Sequence, residues 1–189
     1  MMLKRIGMAA TVLLVGALVF AQESADKGAS PKTGGGINAT WEWNSIPKGK
    51  IGTDMTTFKK PYEIPATSGS GAKFEVVSGA VKFKTENGVT ALYHDNKSSA
   101  TFDTIEKDKK CEYAITISDA ATIELTVTGN GTKAASRIVV VKSGDETVLS
   151  VNNLSQDEPA KTLTLANAPA GTYRVLVNGA RIISVKAHN

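Results

Sequence analysis

Short segments of alternating apolar and polar residues recur along the chain from Ile37 onward, and this period of two is typical of β-strands. The segment TIELTVT shows it most clearly, because Ile123, Leu125 and Val127 would share one face and polar side chains the other. Gly, Asn, Asp and Pro separate the segments, and none has a sustained helical period. The pattern predicts strands at residues 38–43, 73–77, 81–84, 90–93, 113–117, 122–128, 137–142, 147–151, 162–165, 172–177 and 180–186. We therefore expect an all-β fold, specifically a jelly-roll-like antiparallel β-sandwich.

Two connections in the second half of the chain predict hairpins. Residues 143–146 (SGDE) have the length and the residue types of a tight turn between strands. Asn178-Gly179 is the stronger signal, because both residues tolerate the positive φ angles that a two-residue turn requires. If the last two strands pair across that turn, Arg174 and Arg181 become diagonal neighbours on one face of the sheet. Residues 46–65 contain three prolines and two glycines, and are predicted to be rich in loops.

The N-terminus has the three parts of a secretory signal peptide. Lys4 and Arg5 precede an apolar run at residues 6–20, and small residues follow, so cleavage is predicted after Ala21. A membrane-spanning helix is the alternative, but the apolar run is shorter than the roughly 20 residues that cross hydrocarbon. Residues 22–36 (QESADKGASPKTGGG) contain no large apolar residue and predict a flexible Gly/Ser/Lys-rich linker.

The expected organisation is therefore a signal peptide at residues 1–21, the linker at 22–36 and a single β-sandwich domain at 37–189. A chain of 189 residues has the length of one domain. We expect the protein to be exported, either to the periplasm or as a secreted protein, without stable membrane insertion once the signal peptide is removed.

The charge and the cysteine content narrow the range of partners. The net charge of +4 falls to +2 without the two basic residues of the signal peptide, which is too small to indicate binding to nucleic acid or to an anionic membrane. Cys111 is the only cysteine, so the chain has no internal disulfide. Its strand spacing from Tyr113 predicts a buried thiol, and a reactive or dimer-linking thiol is the alternative.

The whole mature domain resembles the small jelly-roll modules that accompany bacterial pectate lyases and other exported polysaccharide-degrading enzymes. The matching segments are 39–43 (ATWEW), 121–129 (ATIELTVTG), 137–145 (RIVVVKSGD) and 170–175 (AGTYRV). The last of them continues through Asn178-Gly179 into 182–185 (IISV), where such modules end. The resemblance implies a carbohydrate-binding-like role, and the association with pectin points to an acidic sugar such as a uronate.

Aromatic side chains are the first candidates for contact with a sugar. Trp41 and Trp43 are two residues apart, so their rings would project from one face of a strand, where they could either stack on sugar rings or fill the core. Tyr93, with Tyr62 and His94, is next to predicted loops and could line a binding edge or pack at the rim of the sandwich.

Arg174 and Arg181 are the candidates for contact with an acidic group. Two neighbouring guanidinium groups could hold a carboxylate through paired hydrogen bonds. The alternative is that both arginines face solvent and pair with Glu or Asp on adjacent strands.

The sequence contains no motif for catalysis or for a bound cofactor. It has no G-x-S-x-G elbow, Walker loop or H-E-x-x-H helix, so we expect no catalytic residue and no enzyme activity. A structural Ca²⁺ could be bound by the acidic residues Asp103, Glu106, Asp108 and Glu112. Their spacing matches no defined calcium loop, however, and favours a solvated surface. We therefore expect no bound metal and no other cofactor, with a structural Ca²⁺ as the alternative.

The leading hypothesis is an exported, non-catalytic, carbohydrate-binding-like protein whose partner is a polysaccharide or surface glycan. The alternative is a structural or protein-interaction protein of the periplasm or cell surface, which an exposed apolar patch would favour. Neither hypothesis specifies the glycan or the oligomeric state.

Overall fold

The computed structural model describes residues 36–43, 55–94, 100–131 and 137–189. The predicted signal peptide and all but the last residue of the predicted linker lie outside these ranges. Within them the chain forms twelve β-strands and one short helix. They are β1 (Asn38–Glu42), β2 (Tyr62–Ile64), β3 (Ala72–Ser78), β4 (Val81–Glu86), β5 (Val89–His94), α1 (Ile105–Asp108), β6 (Cys111–Ile117), β7 (Ala121–Gly129), β8 (Ile138–Ser143), β9 (Glu146–Val151), β10 (Lys161–Ala168), β11 (Gly171–Asn178) and β12 (Ala180–His188).

The strands form two antiparallel sheets. Sheet A has the order β10-β7-β12-β5-β4, and β1 also pairs with β12. Sheet B has the order β2-β3-β6-β11-β8-β9. Strands that are adjacent in sequence lie in different sheets at several points, so the two sheets are wound together as a sandwich and the all-β prediction is confirmed.

A single hydrophobic core fills the space between the two sheets. Sheet A contributes Leu92 and Leu125, sheet B contributes Phe74 and Ile115, and β1 contributes Trp41, all of them at most 1% exposed. Each such side chain contributes about 1.5–3 kcal/mol to the free energy of unfolding through its burial. The alternation along each strand therefore decides which side chains face the core and which face outward.

All eleven predicted strands are present, with ends that differ by at most three residues. Two elements are missed by the sequence pattern. Strand β2 has three residues between Pro61 and Pro65, and α1 has a single turn, so both are too short to show a period. Strand β2 forms because its backbone pairs with β3, which supplies the hydrogen bonds that the segment cannot make alone.

One of the two predicted hairpins is confirmed and the other is wrong. Ser143 pairs with Glu146 across a tight turn between β8 and β9, as expected. Asn178-Gly179 does not join paired strands, because β11 lies in sheet B and β12 in sheet A. Of the two residues, only Gly179 has a positive φ, of 68°, whereas the predicted hairpin turn needs positive φ at both. This dipeptide is therefore a crossover between the sheets.

The buried-thiol interpretation of Cys111 is confirmed. The residue is fully buried, and burial raises the pKa of its thiol to about 12. Gly79 packs directly against it, since a Cβ at Gly79 would lie 2.5 Å from the sulfur. The thiol is therefore protonated at neutral pH and shielded from reagents.

Candidate functional site

Both tryptophans lie in the core rather than on a surface. Trp41 is 1% exposed and Trp43 is 2% exposed, and their rings pack against Phe74 at centroid distances of 5.8 and 6.1 Å. Their indole Nε1 groups donate hydrogen bonds to the carbonyl oxygens of Ile64 (2.8 Å) and Ile182 (2.9 Å). The structure thus corrects the sugar-stacking interpretation, because neither indole presents a ring face to solvent.

Arg174 lies on the outer face of sheet B and is held by carboxylates. Its Nε donates to Glu112 Oε1 at 2.7 Å, and its two Nη groups donate to the two oxygens of Glu106 at 3.1 and 3.0 Å. Lys142 also donates to Glu106 at 2.8 Å, and Lys109 lies 3.6 Å from Glu112. We call these five residues the sheet B ion cluster. Hydrogen bonds from Lys142 and Arg174 lower the pKa of Glu106 to about 2.

The sheet B ion cluster fixes α1 on the sheet. Ile105 in α1 belongs to a small apolar cluster with Val140 and Leu176, which face outward from sheet B. Glu106, the next residue, is thereby brought to Arg174. The arginine therefore has the pairing expected of a structural residue, and the prediction that it lies beside Arg181 is wrong, because the two residues are in different sheets.

The acidic residues considered for Ca²⁺ do not converge in the structure. No group of three or more His, Cys, Asp or Glu side chains in the described ranges is arranged to hold a metal ion. Glu106 and Glu112 face the cations of the sheet B ion cluster. Their oxygens therefore already have positively charged partners.

Arg181 lies on the face of sheet A that points away from the core. Its neighbours Ala180 and Ile182 are core residues, so alternation directs Arg181 outward. It is nevertheless only 4% exposed. Its Nε donates to Gly129 O at 3.1 Å and its Nη1 donates to Glu86 Oε2 at 2.6 Å. It is a fixed, almost buried cation.

Tyr93 is partly exposed, as Arg174 is, but it lies on the outer face of sheet A. It is half-buried on the outer face of sheet A, next to the core residue Leu92. The Nζ atoms of Lys82 and Lys84 lie 5.3 and 4.7 Å from the centre of its ring, within the range of cation–π contacts. We call Tyr93, Lys82, Lys84, Glu86 and Arg181 the Tyr93 surface.

A hairpin turn explains why these residues meet. Asn87 and Gly88 have φ angles of 51° and 76°, which fit the two-residue turn that joins β4 to β5. The resulting register places Lys82 opposite Tyr93 and turns the intervening Phe83 toward the core. Lys82, Lys84 and Glu86 are not among the predicted site residues. The Asn87-Gly88 dipeptide nevertheless indicates a hairpin turn, and the alternation in 82–86 (KFKTE) places these three side chains on one face.

The Tyr93 surface carries three cations and one carboxylate. Glu86 contacts both Lys84 and Arg181, and these contacts lower its pKa, mainly through the hydrogen bond from Lys84. The same hydrogen bond raises the pKa of Lys84. Lys82 contacts the ring of Tyr93 and forms no ion pair with any residue in the described ranges. The surface is therefore positive, with an aromatic ring at its centre.

The other residues considered for a binding edge are packed. His94 is 1% exposed, and Tyr62 packs edge-on against Phe58 at a centroid distance of 4.8 Å. Both fit the rim-packing interpretation.

The described part of the chain is thus a two-sheet antiparallel β-sandwich with a cationic, tyrosine-centred surface on one outer face. It contains no helix that is long and apolar enough to span a membrane.

Comparisons with known proteins show similarity to solved structures but not to a protein family. No protein-family model matches the chain, and no curated protein matches it. Among solved structures, it is similar to a family 35 carbohydrate-binding module from an environmental isolate, with 18% sequence identity and a TM-score of 0.37. The similarity covers 59% of this chain and 83% of that module's chain. It concerns the fold alone, and the association with pectate lyases implied by the resemblance stays a prediction.

Proposed function

We propose that this protein is an exported, non-catalytic, carbohydrate-binding-like β-sandwich protein that recognises an acidic polysaccharide through the Tyr93 surface. The observation that carries the proposal is the half-buried ring of Tyr93 on the outer face of sheet A, with the Nζ atoms of Lys82 and Lys84 at 5.3 and 4.7 Å from its centre. An aromatic ring offers a flat apolar face to a sugar, and ammonium groups beside it attract carboxylates. Export rests on the predicted signal peptide, and the periplasm or the exterior is the expected location.

The two kinds of cation on this surface have different tasks. Arg181 is almost buried and hydrogen-bonded to Gly129 O and Glu86, so it serves as a fixed support below the surface. Lys82 has a flexible side chain and no carboxylate partner in the described ranges, so its ammonium group can turn from the tyrosine ring to a carboxylate of the ligand. Lys84 is held by Glu86 as well as by the ring. The contact with the ring is weak enough for this exchange, since an exposed cation–π contact contributes about 0.5–1 kcal/mol.

The Tyr93 surface suits binding rather than bond cleavage. Hydrolysis of a glycosidic bond normally uses two carboxyl groups that flank the substrate, one of them protonated at working pH. Among the described residues, Glu86 is the single carboxylate of this surface, and its lowered pKa favours the ionised form. The described surface therefore offers neither a second carboxyl group nor a protonated one.

The alternative role in protein interaction has less support in the structure. It would require a contiguous apolar patch on the surface. Among the described residues, Phe102, at 43% exposed, is the one large hydrophobic side chain that is exposed. The described surface therefore gives more support to the glycan-binding role.

The proposal is tested by calorimetric titration of the protein, purified after export, with polygalacturonate and with a neutral polysaccharide. We expect binding to polygalacturonate alone, and Tyr93→Ala should weaken it at least about tenfold, since stacking on an aromatic ring is worth about 1.4 kcal/mol or more when the ring is central to a site. Tyr62→Ala is the matched control, because Tyr62 is also half-buried but belongs to the edge of sheet B.

Unchanged binding in Tyr93→Ala would reject the Tyr93 surface. Binding to none of the polymers would reject the carbohydrate-binding role and favour the structural or protein-interaction alternative.

A further inference from the structure

The buried polar residues of the described chain gather at one end of the sandwich. This end, which we call the crossover end, contains the segment Gly129-Asn130-Gly131 at the end of β7 and the crossover Asn178-Gly179, joined by a hydrogen bond from Asn130 N to Gly179 O at 2.9 Å. The buried polar and charged residues in the described ranges are His94, Thr128, Asn130, Arg137, Ser155, Asn178 and Arg181. Buried polar groups are normally hydrogen-bonded, because leaving one without a partner costs free energy. A buried polar group without a partner at this end is therefore a candidate for binding a ligand.

Among the described residues of the crossover end, Arg137 is a charged residue without a carboxylate partner. It is 8% exposed, and its Nη1 donates to the carbonyl oxygen of Gly131. Its Nε–H is buried and has no hydrogen-bond partner. No Asp or Glu in the described ranges lies within ion-pair distance of its guanidinium group. The guanidinium group of Arg137 therefore has an N–H donor, on Nε, without a hydrogen-bond partner among the described residues.

Arg181 also forms a hydrogen bond with this segment. Its Nε donates to Gly129 O at 3.1 Å, so residues 129–131 accept hydrogen bonds from two guanidinium groups. Glu86 neutralises Arg181. Burial and the positive charge of Arg181 both lower the pKa of Arg137, which means that the charge of Arg137 is poorly compensated by the protein.

An anion is the ligand that this arrangement lacks. A buried charge is costly unless a counter-charge and hydrogen bonds accompany it. A planar guanidinium group with free N–H donors pairs best with an oxyanion, whose two oxygens match the fork. We propose that Arg137, supported by Arg181, binds an oxyanion at the crossover end: a phosphate, sulfate or carboxylate group. This site shares Arg181 with the Tyr93 surface but not its ring or its lysines, and it does not depend on the proposed function.

The experiment measures thermal unfolding of the protein, purified after export, at constant ionic strength. Sodium phosphate, sodium sulfate and sodium glucuronate are compared with sodium chloride, and glucose is the neutral counterpart of glucuronate. At a concentration about ten times the dissociation constant, we expect an oxyanion to raise the Tm by about 4 °C over chloride. The phosphate and sulfate arms report a site for a free inorganic anion, and the glucuronate arm reports a site for the carboxylate of a sugar.

Variants identify the arginine responsible. Arg137→Gln should lose the rise in Tm, whereas Arg174→Gln, which removes the same charge from the sheet B ion cluster, should keep it. A direct measurement covers the case in which Arg137→Gln does not fold: in the ¹⁵N-labelled protein, the Nε–H signal of Arg137 should shift on addition of phosphate, with Arg137→Lys used to assign it.

A rise in Tm no larger than that in chloride, or an equal rise in Arg137→Gln, would overturn the proposal. An Nε–H signal that does not move in any of the three oxyanions would overturn it independently. Because neither readout uses a polymer, both remain informative if the protein binds no polysaccharide.

Discussion

The outer faces of the two sheets both carry clusters of cations, but these clusters differ in what already neutralises them. On sheet B, Arg174 makes three hydrogen bonds to Glu106 and Glu112, and Lys142 makes another to Glu106. On sheet A, Lys82 rests on the ring of Tyr93 without a carboxylate partner in the described ranges. The two clusters are therefore distinguished by the pairing of each charge and not by the number of positive charges.

The difference originates in what covers each face. On sheet B, the apolar contacts of Ile105 with Val140 and Leu176 hold α1 against the strands and bring a glutamate to the cations. On sheet A, the hairpin β4–β5 presents its own alternating side chains, so Lys84 contacts both Glu86 and the ring of Tyr93, whereas Lys82 contacts the ring alone. The two clusters therefore differ by one cation, Lys82, that has no carboxylate partner in the described ranges.

The largest effect on stability is expected from Glu86→Gln. This change leaves Arg181, with 5% of its side chain exposed, without its carboxylate, and we expect the free energy of unfolding to fall by about 2–4 kcal/mol. Urea-induced unfolding measures it. In the double variant Glu86→Gln/Arg181→Met, most of the loss should be recovered, since the uncompensated charge is gone. A loss below about 1 kcal/mol in the single variant would show that Glu86 does not neutralise Arg181.

A smaller loss is expected from Glu106→Gln in the sheet B ion cluster. The side chain of Glu106 is 43% exposed, so solvent screens its ion pairs and the expected loss is about 0.5–1 kcal/mol. Glu63→Gln is the matched control, because Glu63 has one long contact, 3.6 Å, to the exposed Lys73. It should change the free energy of unfolding by less than about 0.3 kcal/mol. Equal losses in the two variants would mean that the cluster adds nothing to an ordinary surface pair.

The same carboxylate gives the wild type a distinctive response to acid. The pKa of Glu106 is about 2 in the folded protein, against 4.5 as its ordinary value. A lowered pKa stabilises the fold fully above pH 4.5, and this contribution is lost as the pH falls toward 2. The free energy of unfolding should therefore fall more steeply between pH 4.5 and 2 in the wild type than in Glu106→Gln. Parallel curves over this range would contradict the assignment.

The fold could be predicted from the sequence because alternation reports which side chains share a face. The limit of that information is visible in two identical dipeptides. Asn87-Gly88 forms a hairpin with positive φ at both residues, whereas Asn178-Gly179 joins two different sheets. A dipeptide permits a turn, but the strands on either side decide the pairing: β11 already has β6 and β8 as neighbours, and β12 has β7 and β5.

The candidate site was harder to predict, because a period of two does not say which face is buried. The two tryptophans share a face with Ala39, while the intervening Thr40 and Glu42 are polar, so β1 itself contained a hint that the indoles belong to the core. The Tyr93 surface depends on contacts between β4, β5 and β12, and the charge of Arg181 is neutralised by a residue 95 positions away. The spacing of residues within one strand does not predict such long-range contacts.

The smallest effect on stability, and the sharpest test of the comparison, is expected from Lys82→Gln. Its contact with the Tyr93 ring is exposed, so the free energy of unfolding should fall by no more than about 0.5 kcal/mol. Binding to polygalacturonate should nevertheless weaken by about three- to tenfold, because the variant removes an ammonium group that has no carboxylate partner in the described ranges.

Lys142→Gln on sheet B should show the reverse, with a measurable loss of stability through Glu106 and unchanged binding. Urea unfolding and calorimetry on the same two variants measure both quantities. If both lysines changed stability and binding to the same extent, the pairing of a cation would not distinguish a structural cluster from a binding surface in this protein.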